Sequence, residues 1–274
     1  QDRIYVGAHA GGMMVLHRKS GYIEYYNRHN SNLPSNNIYS IISDGYGGLW
    51  VASLEYLLHF DIDKRNFTIV DVDGDGHKLQ QYNRLLFCDS KKRIWAGGEM
   101  GISVFNQVGT SLLPNTDFQI ASVLKQAFVN CFYETSSGYL WIGTRNGLFA
   151  LKESDKQFLQ YTTENGLPSN VIYGILEDAY GRLWISTNQG LSCLNSESGK
   201  FRNFTIMDGL QGNQFNAGAY CRKDNGYMLF GGVNGITSFR PETLIDNPYA
   251  PKPVINKLFV HTKEVLPDDE TGIL

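Results

Sequence analysis

No stretch of this 274-residue chain approaches the eighteen or so consecutive apolar residues that a membrane-spanning helix requires, so none of it is expected to cross a bilayer as a helix. Nor does any window sustain a 3.6-residue apolar period over three turns, which argues against long amphipathic helices. There is no CxxC pair. Cys88, Cys131, Cys193 and Cys221 are scattered, which argues against a structural zinc site and favours small core residues on strands, one disulfide remaining open. Charged residues reach only 19%, with a net charge of -3 and no run of one sign. That balance excludes the electrostatic footprint of a nucleic-acid binder and a polybasic membrane patch. The histidines at 9, 17, 29, 59, 77 and 261 form no HExxH, and GxSxG, P-loop and Rossmann signatures are missing. Carboxylate pairs such as Asp61 with Asp63, or Glu177 with Asp178, read as solvated or capping groups. No catalytic residue, metal site or cofactor is therefore assigned, and no leader is visible at Gln1. "DVDGDGHKLQQY" has Asp71, Asp73 and Asp75 at the first ligand positions of a calcium loop, but Tyr82 stands where a bidentate Glu is needed. It reads as a polar connection, with calcium as the alternative.

What the chain does have is aromatic rings, 13% of its residues, and 29 glycines, a mixture that suits short strands joined by tight turns. All four tryptophans lie in one recurring phrase: "DGYGGLWVASLEYL", "DSKKRIWAGGEMGI", "ETSSGYLWIGTRNGL" and "DAYGRLWISTNQGL". Extending the register from Trp50, Trp95, Trp141 and Trp184 finds Tyr5 and Phe230, at intervals of 45, 45, 46, 43 and 46 residues. A repeat of that length is the signature of β-propeller blades. The predicted fold is therefore all-β, a propeller of four-stranded antiparallel blades, with six repeats, four complete and two partial. The chain opens at the second strand of the first blade and ends the sixth after its third.

The repeated residues have mechanical readings. The anchor rings fill the wedge between neighbouring sheets. Gly7, Ala52, Gly97, Gly143, Ser186 and Gly231 fit where sheets approach closely, and Gly12, Gly101, Gly147, Gly190 and Gly235 serve turns. Asp44, Asp89, Asp178 and Asp224 are expected to cap the first hairpin turn. The tripeptide "NFT" at Asn66 and Asn203 is expected at equivalent outer-strand positions. Residues 1–240 make the propeller, 241–253 a Pro-rich linker, and 254–274 the first strand of an incomplete β domain.

Several phrases resemble a known family. "GLPSNVIYGILEDAYGRLWISTNQGL" and "NLPSNNIYSIISDGYGGLWVAS" resemble the two-component regulator propeller repeat. "DGLQGNQFNAGAYCRKDNGYMLFGGVNGITSFRPETL" resembles the last blade of such sensors, and "PKPVINKLFV" the entry to the triple-tyrosine β-sandwich that follows it. The first and third repeats lack the "GLPSN" phrase. The resemblance implies a periplasmic sensor region of a hybrid two-component histidine kinase, seven-bladed when whole, from a Gram-negative degrader of polysaccharides. It implies a homodimer through the β-sandwich, and membrane anchoring only through segments outside this chain.

The turns between second and third strands read "HAG", "LEY", "EM", "RN", "NQ" and "VN": unlike one another on a constant frame, as a binding face would be. Glu55, Tyr56, Glu99, Arg145, Asn146, Asn188, Gln189 and Asn234 are the expected ligand-binding residues around the channel mouth. Amides, an aromatic and an Arg suit sugar hydroxyls and a stacked ring, and the Arg also suits a uronate or sulfate. The expected partner is an oligosaccharide that signals polysaccharide-utilisation genes. The alternatives are a propeller lyase or hydrolase acting on a carbohydrate or lactone, and a protein-binding scaffold.

Overall fold

The computed structural model describes residues 2–54, 56–70, 83–99, 101–115, 124, 127–152, 157–244, 258–260 and 263–265. Six antiparallel sheets follow one another in chain order, with three strands in the first, four in each of the next four and three in the sixth. They are the four complete and two partial blades of a propeller. Strand order within each complete blade is sequential, so every blade is a meander. The inner strands Ile38–Ser43, Asn83–Cys88, Val129–Glu134, Ile172–Glu177 and Phe215–Arg222 pack each on the next. The chain divides after Pro241 into two compact units. In the second, Leu258–Val260 pairs with Lys263–Val265, a two-stranded ladder where the sequence suggested one strand. The calcium-like residues Asp71, Asp73 and Asp75 lie outside the described residues.

Alternation along each strand sends one set of side chains to the blade behind and the other to the blade ahead. The tryptophans face ahead. Trp50, Trp95, Trp141 and Trp184 are at most 3% exposed, and each joins a core shared with the following blade: Trp95 with Val129 and Phe132, Trp184 with Phe215 and Phe230. The sixth anchor needs correction. Gly232 pairs with Gly235 across the sixth blade's turn as Thr187 pairs with Gly190 across the fifth. Leu229 thus stands in the tryptophan register, and Phe230 is the equivalent of Ile185, buried against the blade behind. The sequence carried the sign of this: Gly231 follows Phe230 by one residue, whereas the other small residues follow their anchors by two.

Close approach explains the small residues. A Cβ on Gly7 would stand 2.6 Å from Ile38 Cγ2 of the next blade. At the turns, Gly147 takes φ 121, and a Cβ there would lie 2.6 Å from the Tyr161 carbonyl oxygen.

Three of the four expected caps form. Asp44 Oδ1 accepts from the amides of Tyr46 and Gly48, Asp89 Oδ1 from Lys91 and Arg93, and Asp178 Oδ1 from Tyr180 and Arg182, all within 3.0 Å. Asp224 does not: it lies one residue past the cap position, which Lys223 occupies, and Asn225 Oδ1 accepts from Tyr227 N instead. The second carboxylate oxygen carries more weight. Asp89 Oδ2 accepts from Trp95 Nε1 at 2.8 Å and Arg93 Nε at 2.6 Å. Asp178 Oδ2 does the same for Trp184 at 2.9 Å and Arg182 at 2.7 Å. In the second blade Gly48 replaces that Arg, and His59 Nε2 reaches Asp44 Oδ2 at 2.8 Å. Burial pushes the Asp44 carboxyl up, but hydrogen bonds from His59, Tyr46 and Gly48 outweigh it and hold it below the ordinary value. In the fourth blade Thr135 replaces the Asp. The indole N–H groups of Trp50 and Trp141 consequently have no acceptor.

Two further expectations change. The "NFT" phrases both lie on outer strands, but Phe67 pairs with Phe60 and Phe201 with the equivalent Leu194, so Asn66 and Asn203 are three positions out of register. Of the cysteines, only Cys131 and Cys193 are buried; Cys88 is half-buried, Cys221 is exposed, and all four are free. Burial pushes the Cys131 thiol up to about 12 and that of Cys193 to about 11.

Two measurements test this packing. Trp184→Phe is expected to cost about 1.5–3 kcal/mol more than Trp141→Phe in urea unfolding, because only the former loses a hydrogen bond to an ionised acceptor. Native-state alkylation with peptide mapping is expected to modify Cys221 first and to leave Cys131 and Cys193 unmodified until the blades unfold.

Candidate functional site

The turns between second and third strands lie at the same end of the propeller as the links between blades, and backbone hydrogen bonds fasten one to the other. Gly12 N donates to Asn36 O at 2.7 Å, Gly147 N to Asn170 O at 2.8 Å, and Gly190 N to Asn213 O at 2.6 Å. The Leu of each "LPSN" link, Leu33 and Leu167, is buried in the core between two blades. This face therefore has a fixed backbone, and its exposed side chains vary from blade to blade.

The expected residues are distributed over it as follows. Glu55 lies outside the described residues. Tyr56 is half-buried, its ring packed on the core between the first and second blades and its carbonyl accepting from Ser53 N and Oγ. Glu99 reaches the guanidinium of Arg84 at 3.1 Å. Arg145 is exposed, with its guanidinium over the Phe128 ring at 3.7 Å and its amide donating to Phe128 O at 3.0 Å. Asn146 and Gln189 are exposed, their amides held by Thr144 Oγ1 at 2.9 Å and Thr187 Oγ1 at 3.0 Å. Asn188 has a buried Oδ1 without a hydrogen-bond partner. Asn234 N donates to Gln211 Oε1 at 2.8 Å. Of these, Glu99 makes contact with an inner strand through its side chain, and Asn234 is fastened through its amide to Gln211 of the preceding link.

A second tier was missed. Every inner strand shifts register at the same step: between Ile38 and Ser40, Asn83 and Leu85, Val129 and Cys131, Ile172 and Gly174, and, more widely, Phe215 and Tyr220. The unpaired residues are Tyr39, Arg84, Asn130 and Tyr173. A β-bulge re-aims the side chain it carries, and here contacts run from blade to blade around the axis. Arg84 lies over the Tyr39 ring at 5.0 Å, His9 packs edge-on against Tyr39, and Asn130 Nδ2 donates to Ile172 O at 2.8 Å. His9, Tyr39, Arg84 and Glu99 thus form a continuous path over three blades. The available signal was positional: each bulged residue stands eleven places before its tryptophan, at a constant offset with a changing residue type.

The opposite end is closed by clamps. Glu134 accepts from Ser90 N and Oγ at 2.6 and 2.7 Å, and Glu177 accepts from Ser136 N and Oγ at 3.1 and 3.3 Å, each tying a blade to the one behind. Glu177, expected as a solvated or capping group, is a buried clamp. Between the second and third blades the same two positions hold Gly45 and Cys88, and a cleft of about 610 Å³ opens there. That concavity lies where the clamp is missing, and Ser43, Asp44, Ser90, Lys92 and Glu134 are among the residues that line it.

The described residues contain no helix long and apolar enough to cross a membrane and no group of three or more His, Cys, Asp or Glu placed to hold a metal ion. Comparison with known proteins adds the following. The model of the two component regulator propeller family matches residues 32–55, 124–146 and 166–189. The chain is 28% identical to Histidine kinase P4 of Formosa agariphila over 225 residues, covering 79% of this chain and 16% of that protein. In three dimensions it is similar to the extracellular domain of a hybrid two component system from B. thetaiotaomicron, with 20% identity, a TM-score of 0.72, and coverage of 98% of this chain and 43% of that one. It is also similar to PorZ, a surface component of the type-IX secretion system of Porphyromonas gingivalis, with 16% identity, a TM-score of 0.68, and coverage of 87% and 37%. The chain spans less than half the length of each of these relatives. The stretches matched are those that carry the buried Leu, the bulge and the tryptophan, so three segments of the chain match the two component regulator propeller model.

Proposed function

We propose that this chain is the ligand-recognition propeller of the extracytoplasmic sensor of a hybrid two-component histidine kinase, without catalytic activity of its own. The observation that carries the reading is the two-tier channel mouth. A backbone repeated from blade to blade presents chemically unlike polar and aromatic side chains, at the turns and again at the bulges. Amide, guanidinium, carboxylate and phenol groups on a rigid rim suit a ligand rich in hydroxyls, and an oligosaccharide fits that chemistry. The likeness to a histidine kinase over most of this chain supports the signalling half of the reading, and the fold shared with the extracellular domain of a hybrid system supports its place outside the cytoplasm.

In this reading the chain stands in the periplasm, in a receptor that dimerises through the β-sandwich after residue 253, and its output is the expression of polysaccharide-utilisation genes. The blades are joined too tightly to deform one at a time. Ligand binding would act by favouring one arrangement of propeller against β-sandwich, which requires different affinities for the two arrangements.

The experiment is calorimetric titration of the chain, and of the entire receptor ectodomain, against plant, host and microbial oligosaccharides, with and without EDTA. Heat from one glycan class, unchanged by EDTA and without product release, is the expected result. Turnover of the glycan would replace the sensor with a lyase or hydrolase. Silence from both proteins would favour a protein-binding scaffold.

A further inference from the structure

The arginines near the channel mouth and in the wedges are mostly matched. Arg84 holds Glu99 at 3.1 Å, Arg93 holds Asp89 at 2.6 Å, and Arg182 holds Asp178 at 2.7 Å. Arg145 is different. It is exposed at the rim, and no carboxylate or carbonyl among the described residues meets its guanidinium. It is nevertheless held in position, by the Phe128 ring 3.7 Å below it and by its own amide bonded to Phe128 O. At that separation the guanidinium lies over the ring, and its N–H groups lie in its own plane, where an oxyanion can meet them edge-on. Phe128 stands two residues before the bulged Asn130, so rim and inner tier are adjacent on this blade. On the third blade the same juxtaposition is closed upon itself, because the turn residue Glu99 neutralises the bulge residue Arg84.

We infer that Arg145, held on Phe128, is an anion-recognition point, and that the ligand of this channel mouth is an acidic saccharide. Its carboxylate or sulfate takes the two-pronged guanidinium edge, and its hydroxylated remainder lies along Asn146, Asn130 and Tyr173. The inference rests on the sensor reading and narrows it. A guanidinium prepositioned on a ring loses less freedom on binding an oxyanion than a free Arg does, and it matches both anions in bidentate geometry. Glu99 sets a limit: with Arg84 already paired, Arg145 is the Arg or Lys without a carboxylate among the described turn and bulge residues, which suits a ligand with isolated charges better than a dense polyanion.

The test is calorimetric titration of the full chain with matched pairs: oligogalacturonate and its methyl ester, oligoalginate and its carboxyl-reduced form, chondroitin sulfate and heparin oligosaccharides and their desulfated parents. Wild type, Arg145→Gln and Arg145→Lys are compared, with melting temperatures to establish that the exposed substitutions leave the fold intact. One acidic glycan is expected to bind at least about tenfold more tightly than its neutral counterpart. That advantage should vanish in Arg145→Gln, and in Arg145→Lys should survive only in part and fall with added salt. Preference among the uronates or among the sulfated glycans identifies which anion is read. Equal binding of acidic and neutral partners, or an acidic preference untouched by Arg145→Gln, overturns the inference and leaves the sensor reading standing. Silence toward every glycan, in the entire ectodomain as well, overturns both.

Discussion

Two twisted sheets cannot lie flat on one another, and the wedge between them must be filled before a propeller can hold together. In this chain one indole ring fills each of four such wedges, removing about 150–250 Å² from water, which at about 25 cal/mol per Å² stabilises each junction by roughly 4–6 kcal/mol as an upper bound. A ring of that size carries an N–H whose burial costs free energy unless an acceptor meets it. Asp89 and Asp178 accept it, and Arg93 and Arg182 compensate the buried charge at 2.6 and 2.7 Å. One carboxylate therefore caps a turn with one oxygen and fixes the wedge residue with the other. The junctions are not equal. His59 replaces the guanidinium in the second blade, and in the fourth Thr135 replaces the acid, so two indoles stay without an acceptor.

Rigidity at the wedges decides what the two ends can do. At one end, Glu134 and Glu177 clasp the turns of the blades behind them, and the side chains there are occupied with one another. At the other end the fastening is done by backbone: the glycine amides of the turns bond to the carbonyls of the links. Main-chain fastening leaves the side chains of Arg145, Asn146 and Gln189 unused for architecture. The bulges extend this division inward. A residue out of the ladder is not bound to one side-chain type by strand pairing, so Tyr39, Arg84, Asn130 and Tyr173 differ from blade to blade and meet their neighbours through side chains instead.

The same division explains what could be read from the sequence. Wedge rings, turn glycines and capping acids recur because each meets one steric demand, and a demand met in blade after blade leaves a period. Blade count, strand order and the variable turns were all legible in that way. Register is harder. Leu229 rather than Phe230 is the sixth counterpart of the tryptophans, and Asp224 lies one residue from the cap, because the hairpin of the last blade is shifted by one residue relative to the aromatic match. The offset of Asn66 from Asn203 is of the same kind: a shared tripeptide fixes no pairing partner. The bulged residues were hidden because nothing in "NIYSII" or "NRLLF" marks a break in the strand, and a bulge is a property of the ladder between two strands.

Stiff junctions also constrain how such a protein could report a bound ligand. A blade cannot tilt alone without reopening a wedge and stranding an indole N–H or a buried carboxylate, each costing more than most single ligand contacts return. A ligand spanning the rim therefore acts on the six blades as one body, and any response lies in how that body is oriented against whatever it is joined to. Between the second and third blades Gly45 and Cys88 replace the clamp, a cleft remains, and Gln107 Nε2 donating to Asp44 O at 2.6 Å ties the two blades there instead. The His9–Tyr39–Arg84–Glu99 path crosses that same junction at the opposite end. The contacts that bind these blades at the mouth lie among the residues of the proposed binding face, so that face and the stiffness of the frame meet at one seam.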